Sequence, residues 1–247
     1  VLAVPRPNVA VLATGNELVE PGEMPGPGQI RNSNGPLLAA LVRQTGATPI
    51  DLGIARDDAA DLRSKVSAGL AHDVLVLSGG VSAGVLDLVP QVLAELGVRQ
   101  VFHKVNLKPG KPLWFGVHPR SAGVSTLVFG LPGNPVSTLV SFELFVRPAI
   151  GVLSGRGPIG LTKMRGRLSR EHRQRGERPA YWPSASHIAA TGCEVTPLAW
   201  KGSGDLRTLS EANALACFPA GDRVFAAGET IEILLLDDGL SAGPGSG

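Results

Sequence analysis

Cysteine, aromatic residues and an excess of either charge are all scarce in this sequence. Its 247 residues include 2 Cys, 4% aromatic residues, and 23 Lys and Arg against 21 Asp and Glu, for a net charge of +2. Two cysteines supply neither a disulfide framework nor a four-thiolate zinc site, so Cys193 and Cys217 are predicted to be small buried hydrophobes. A nearly neutral chain offers no compositional reason to bind nucleic acid or a membrane surface.

Long apolar runs and common catalytic signatures are also missing. No segment reaches the roughly 20 apolar residues that span a bilayer, and no charged-then-apolar signal segment opens the chain. These features predict a cytoplasmic protein with no membrane partner. The five histidines lack metal-ligand spacing, and neither a GxSxG elbow nor a GxxxxGK[ST] loop is present, which argues against zinc, serine-hydrolase and P-loop chemistry.

Glycine and proline, in contrast, are abundant. The 32 Gly and 20 Pro follow no three-residue period, and 43% of the residues are hydrophobic, so the chain is globular rather than collagen-like or disordered. Residues 8–155 alternate short apolar strands with amphipathic helices, and Gly-rich stretches follow several strands. This alternation predicts a three-layer α/β/α domain with a mainly parallel sheet.

The pattern changes after the Gly-rich stretch Ser154–Gly160. Residues 160–238 contain short strand-like pieces with no long helix between them, which predicts a small, barrel-like all-β domain or a sandwich. Residues 239–247 are predicted to be a flexible tail. The six arginines between Arg165 and Arg178 favour a solvated loop over an anion-binding patch, because Glu171 and Glu177 interrupt them.

The Gly-rich strand ends are the best candidates for a binding site. Ligands of open α/β sheets bind at the carboxyl ends of strands, so the loops at Gly15, Gly79 and Gly133 are predicted to converge at one edge. Backbone amides there can hold phosphates or other oxyanions. Acidic and basic side chains accompany these loops: Glu17, Asp57, Asp87, Lys104, Lys108 and Lys111.

Structural explanations stay open at several of these positions. Asp57 or Asp58 is expected to cap a helix, and Asp87 precedes another helix in the same way. A lysine on a loop is often only a solvated charge. Pro132-Gly133-Asn134-Pro135 is also typical of a rigid turn followed by a helix cap.

Taken together, the motifs resemble the molybdopterin molybdenumtransferases, the MoeA family, which includes the E domain of gephyrin. The resemblance rests on ordered strings across about 200 residues: Thr14-Gly15-Asn16-Glu17-Leu18, Gly28–Asn34, Leu52–Asp58, Ser78–Gly84 with Asp87, Phe102-His103-Lys104, Lys108–Pro112, Gly130–Ser137, Gly202–Leu206 and Ala212-Asn213. It implies that Mo from molybdate is inserted into adenylated molybdopterin with Mg²⁺, and that AMP is released.

The resemblance also implies roles for individual residues. Catalytic roles fall on Asp57, Asp87, Lys104 and Lys108, and Glu17 with Asp87 would hold Mg²⁺. Substrate binding falls on Thr14, Gly15, Glu17, Gly79, Gly80, Ser82, Lys111, Pro132, Pro135 and Ser203. The resemblance further implies a homodimer of the full-length protein and a molybdopterin adenylyltransferase as a partner.

One departure concerns length, since full family members carry about as much chain again before this point; the sequence is therefore expected to be a fragment. Two alternative functions share the α/β core or the family: a molybdopterin adenylyltransferase, and a non-catalytic scaffold of the gephyrin type. The appended β-domain argues against the first, and the intact acidic and lysine positions argue against the second.

Overall fold

The chain forms two compact units. The computed structural model describes residues 3–81, 88–120, 123–190, 192–202, 204–236 and 241–242. The first unit comprises Val1–Val105 and Pro112–Gly160, and the second comprises Asn106–Lys111 and Leu161–Gly247. The loop 106–111 therefore groups with the second unit, whereas the sequence pattern had placed it within the predicted domain 8–155.

The first unit is built on a six-stranded sheet with the order β4-β1-β5-β8-β7-β6. Its strands, together with the short pair β2 and β3, are β1 (Asn8–Thr14), β2 (Leu18–Val19), β3 (Ile30–Arg31), β4 (Thr48–Ala55), β5 (Val74–Ser78), β6 (Arg99–His103), β7 (Trp114–Pro119) and β8 (Ser125–Leu131). Strands β4, β1, β5 and β8 are parallel, whereas β7 and β6 run antiparallel to their neighbours.

Helices cover both faces of this sheet. They are α1 (Asn34–Gln44), α2 (Ala59–Gly69), α3 (Leu88–Glu95), α4 (Pro135–Ser141) and α5 (Arg147–Leu153). Apolar side chains of α2 and α3 pack with alternate residues of β1 and β5 in one core cluster. Helices α1 and α4 contact β1 and β8, respectively. Because each central strand is buried on both faces, the predicted α/β fold with a mainly parallel sheet is confirmed.

Local chemistry explains where these helices begin. Asp58 caps α2, since its carboxylate accepts hydrogen bonds from the backbone N–H groups of Ala60 and Asp61. Pro135 opens α4, where a missing N–H costs nothing. A π-helical turn, Phe142–Val146, comes just before Pro148 in the chain. Proline cannot donate to the residue four positions earlier, and the wider turn accommodates this.

The continuous helix Pro135–Leu153 is also long and apolar enough to cross a membrane by length and composition alone. However, 61% of its most apolar window is buried inside the structure. Its side chain Glu143 is buried and paired with Arg147. These are the features of a core helix.

The second unit is a closed antiparallel-rich sheet. Its elements are β9 (Thr162–Leu168), β10 (His172–Gln174), β11 (Ala180–Ala189), β12 (Gly192–Pro197), α6 (Leu206–Glu211), β13 (Ala214–Phe218), β14 (Arg223–Phe225), β15 (Thr230–Leu235) and β16 (Ser241–Ala242). The order is β12-β9-β15-β13-β11, and β12 pairs with β11 as well, so five strands close on themselves around an apolar core. The predicted all-β character is confirmed.

Three details differ from the sequence-based expectations. Of the predicted flexible tail, Ser241–Ala242 pair with β11, and the rest lies outside the described residues. Arg165 and Arg167 belong to β9 and Arg173 to β10, so half of the six arginines lie in strands rather than in a loop. The prediction of buried cysteines holds for Cys193, whereas Cys217 is only partly buried.

Candidate functional site

The loops predicted to converge do meet at one edge of the first unit's sheet. Strand register aligns the last residues of the parallel strands, because Thr14 pairs with Ala55 and Ser78 with Leu131. The antiparallel β7 begins at the same edge, and β6 ends there, where His103 pairs with Trp114. The carboxyl ends of four parallel strands and the end of β6 therefore surround one region.

The Gly79-Gly80 turn requires glycine. Gly79 has φ +96° and Gly80 has φ +65°, which side-chain-bearing residues rarely adopt. A Cβ on Gly79 would lie 2.7 Å from the Thr14 carbonyl oxygen. The Gly79 N–H donates to the Leu131 carbonyl (3.1 Å), and the Thr14 hydroxyl donates to the Ser78 carbonyl (3.4 Å). The turn thus packs tightly against the ends of β1 and β8.

Asn34 links three of these segments, and the sequence analysis gave it no functional role. It is the first residue of α1, and its Nδ2 donates to the Ser78 hydroxyl (2.7 Å) and the Gly133 carbonyl (2.7 Å). The residue is 8% exposed, and its Oδ1 has no hydrogen-bond partner among the described residues. The sequence carries one signal for this bonding role of Asn34. It is a short polar residue at the start of a helix that follows a Gly-rich loop.

The loop after β1 is clamped to the loop after β4. The Asn16 N–H donates to the Asp57 carboxylate (3.2 Å), and the Asp57 N–H donates to the Asn16 side-chain oxygen (3.1 Å). Asp57 is thus partnered through this reciprocal pair while remaining exposed, and the capping of α2 falls to Asp58. Glu17 folds back over Gly15, where a Cβ would collide with its carboxylate.

Lys104 follows β6 in a conformation that is unusual for lysine. Its φ of 71° makes it the one non-Gly residue of positive φ in the described chain. Its N–H donates to the Leu113 carbonyl (2.8 Å), and the preceding His103 places its Nε2 3.1 Å from the Val81 carbonyl. Strained backbone that is held this firmly is common at functional sites. His103 links the Lys104 turn to the Gly-rich turn after β5.

The proline-rich turn after β8 completes this edge. The Thr138 hydroxyl donates to the Pro132 carbonyl (2.7 Å), and the Thr138 N–H donates to the Asn134 carbonyl (2.9 Å). Pro132 is buried, and Pro135 is partly buried as the first residue of α4. Gly133 approaches Gly79 closely, since a Cβ on Gly133 would lie 3.6 Å from the Gly79 Cα.

The remaining predicted residues belong to the second unit or lie outside the described residues. Lys108 and Lys111 belong to the second unit, in the loop Asn106–Lys111. Lys108 is partly buried and Lys111 is exposed. Ser82, Asp87 and Ser203 lie outside the described residues.

Metal ligands are sparse in the described part of the chain. No group of three His, Cys, Asp or Glu side chains that could hold a metal ion occurs there. The Glu17 carboxylate has no hydrogen-bond or ion-pair partner among the described residues and is exposed. Mg²⁺ is commonly held by only one or two carboxylates plus substrate phosphates, so a single free carboxylate such as that of Glu17 is compatible with this ion.

An α/β sheet with Gly-rich turns gathered at its carboxyl edge defines a class of phosphate- and nucleotide-binding domains. Comparison with known families is more specific. The family described as "probable molybdopterin binding domain" matches residues 10–151, more than half of the chain, and the "MoeA C-terminal region (domain IV)" matches residues 165–236. The chain belongs to the MoeA-type molybdopterin-binding family, which confirms the predicted resemblance.

Curated relatives and solved structures support the same family assignment. A molybdopterin molybdenumtransferase from Nostoc sp. is 38% identical over 94% of this chain and 53% of its own length, and one from Staphylococcus aureus is 30% identical over 96% and 56%. A crystal structure of a molybdopterin biosynthesis MoeA protein from Pyrococcus horikoshii aligns with a TM-score of 0.78 at 33% identity, covering 94% of this chain and 55% of that one. The chain therefore spans about half the length of the relatives it matches.

Proposed function

We propose that this chain carries out the metal-inserting step of molybdenum cofactor biosynthesis, as a molybdopterin molybdenumtransferase. It would transfer Mo from molybdate to adenylated molybdopterin and release AMP, in a Mg²⁺-dependent reaction. The observation that carries this proposal is the gathering of Gly-rich turns, Glu17, Asp57 and Lys104 at one sheet edge in a chain of this family. The names of its relatives support the same reaction.

The reaction places specific demands on this edge. Adenylated molybdopterin contains a phosphoanhydride, and its cleavage depends on charge neutralisation and positioning more than on a strong nucleophile. The backbone of the Gly79-Gly80 turn would bind phosphate oxygens. Lys104 would neutralise charge on the phosphoanhydride or on molybdate, and the clamped Asp57 would keep the loop after β1 in place.

The other assignments complete the proposal. Thr14, Gly15, Pro132 and Pro135 would line the substrate site, with Ser82, Lys111 and Ser203 as further contacts. Lys108 would hold molybdate or the phosphoanhydride. Glu17 and Asp87 would hold Mg²⁺, which when bound would supply positive charge to the phosphate oxygens.

We propose the location, the oligomeric state and the partner from the family membership as well. The full-length protein would be a cytoplasmic homodimer, and a molybdopterin adenylyltransferase would supply its adenylated substrate. The near-neutral composition supports small molecules rather than nucleic acid as its ligands.

The direct test mixes the protein with adenylated molybdopterin, Mg²⁺ and molybdate, and measures AMP by chromatography. We expect molybdate-dependent release that falls by roughly one to three powers of ten in Asp87→Ala and in Lys104→Ala. Lys163→Ala is the matched control, because this lysine lies on the exposed face of β9 and should leave AMP release unchanged.

The result of this assay discriminates between metal insertion and the two alternative functions, adenylyl transfer and a scaffold. Wild-type release in both site variants would overturn the residue assignments. If the chain releases no AMP alone, the assay is repeated with the other half of a full-length relative added. Failure there as well would overturn metal insertion. Formation of pyrophosphate from ATP and molybdopterin would then identify an adenylyltransferase, and absence of both activities would favour a scaffold.

A further inference from the structure

A cluster of aromatic rings in the second unit holds Trp182 in a fixed orientation. Its Nε1 donates to the Leu198 carbonyl (3.0 Å). Trp200 meets its ring edge-on at a centroid distance of 4.7 Å, and His172 does so at 4.6 Å. Phe218 stacks on His172 at a centroid distance of 3.9 Å. With its N–H bonded and two rings against it, the Trp182 ring has little freedom to rotate.

The backbone of Lys108 is bound to the same strand, β11. The Lys108 N–H donates to the Pro179 carbonyl (2.9 Å), and the Tyr181 N–H donates to the Lys108 carbonyl (2.8 Å). These bonds make Lys108 a parallel bridge partner of Ala180. The Arg178 guanidinium donates to the Leu107 carbonyl (3.0 Å), which secures the preceding residue as well.

The side chain of Lys108 extends over the immobilised ring. Its Nζ lies 6.0 Å from the Trp182 ring centroid, within the range at which an ammonium is attracted to an indole face. A lysine side chain otherwise has considerable rotamer entropy to lose when it is held in one place. A backbone fixed by β11 and a ring presented by the same strand together restrict where the ammonium can be.

We propose that Trp182 is a positioning residue for Lys108: its ring holds the Lys108 ammonium in the orientation that acts on the oxyanion substrate. The inference rests on the proposed function, because it assumes that Lys108 contacts molybdate or the phosphoanhydride. On this proposal, β11 sets both the backbone and the side chain of Lys108.

The kinetic test is a double-mutant cycle on AMP release. A cation–π contact of about 0.5–1 kcal/mol corresponds to an effect of about two- to fivefold, so Trp182→Leu should lower kcat/KM for molybdate by that factor. Trp182→Phe keeps a ring face and should recover most of the loss. In the Lys108→Ala background, Trp182→Leu should add no further loss, because the ammonium is already gone. Trp200→Leu, which removes a neighbouring ring, is the matched control and should have the smaller effect.

A second measurement is independent of activity. In protein labelled with ¹³C-lysine, the ε-methylene signal of Lys108, identified by its loss in Lys108→Arg, should be shifted upfield by the Trp182 ring current. Trp182→Leu should move the signal to the position of an ordinary exposed lysine. An unchanged signal, or losses in Trp182→Leu and Lys108→Ala that simply add, would overturn the positioning role. A shifted signal together with wild-type turnover in Lys108→Ala would instead overturn the proposed role of Lys108 in the reaction.

Discussion

His172 makes the second unit sensitive to acid. Its ring is stacked on Phe218 and edge-on to Trp182, it is 8% exposed, and its Nε2 has no hydrogen-bond partner among the described residues. Burial disfavours the charged imidazolium, and the positive charges of Arg170 and Lys108 add to this effect. Together they lower the pKa of His172 from 6.5 to about 4.

The loss of stability in acid follows from the difference between the pKa of His172 in the folded chain and its pKa in the unfolded chain. Between pH 6.5 and pH 4 the unfolded chain takes up a proton at this site that the folded chain does not, so acid favours unfolding. The histidine is stabilising above pH 6.5, and its contribution is lost as the pH falls through this window. The expected loss in the free energy of unfolding is about 2 kcal/mol between pH 8 and pH 5, and about 3 kcal/mol below pH 4.

Urea unfolding at pH 8 and pH 5 tests this expectation, with tryptophan fluorescence as the probe, since Trp182 and Trp200 lie in the cluster around His172. His172→Phe keeps an aromatic ring and removes the titrating group. We expect the variant to lose less stability than the wild type between the two pH values, by about 2 kcal/mol. His187→Phe, at a partly exposed position on β11, serves as the control. Equal losses in the wild type and His172→Phe would refute the argument.

Three further predictions concern the first unit. Asn34→Ala leaves the Gly133 carbonyl without its donor and should lower the free energy of unfolding by about 1–3 kcal/mol in urea titrations, with reduced AMP release. Gly79→Ala should abolish AMP binding in calorimetry because its Cβ has no room at a φ of +96°, whereas Gly22→Ala, with nothing within 4 Å, should bind normally. Burial raises the pKa of Glu143 above its usual 4.5, so wild-type stability should fall as the pH rises from 4.5 through the folded-state pKa, and Glu143→Gln should lack this decline when unfolding is followed across that range.

Local patterns in the sequence were sufficient to predict the main strands and helices of the first unit and the edge where its loops meet. Apolar runs ending in Gly-rich turns identify buried parallel strands, and parallel strands bring their carboxyl ends to one edge by geometry alone. The caps were equally local: an aspartate before α2 and a proline at the start of α4 act on their nearest neighbours. No contact distant in sequence was needed for these predictions.

The features that the sequence did not predict, the bonding of Asn34 and the placement of Lys108, depend on contacts between residues distant in sequence. Asn34 bonds to Ser78 and Gly133, which are 44 and 99 positions away, and no local pattern reports such a pairing. Lys108 bridges to Ala180 from a loop that reads as part of the first domain. The local sequence places Lys108 on a loop, but it does not identify the strand to which this loop is bound.

Lys104 and Lys108 are near each other in sequence, but they belong to different units. Lys104 is held by a backbone bond to Leu113 within the first unit, and Lys108 by backbone bonds to Pro179 and Tyr181 within the second. A lysine that reacts must be held in place by whatever fixes its backbone, because a flexible side chain on a free loop would sample many positions. If Lys108 acts on the substrate, a change in β11 that loosens its backbone bonds to Lys108 should slow the reaction.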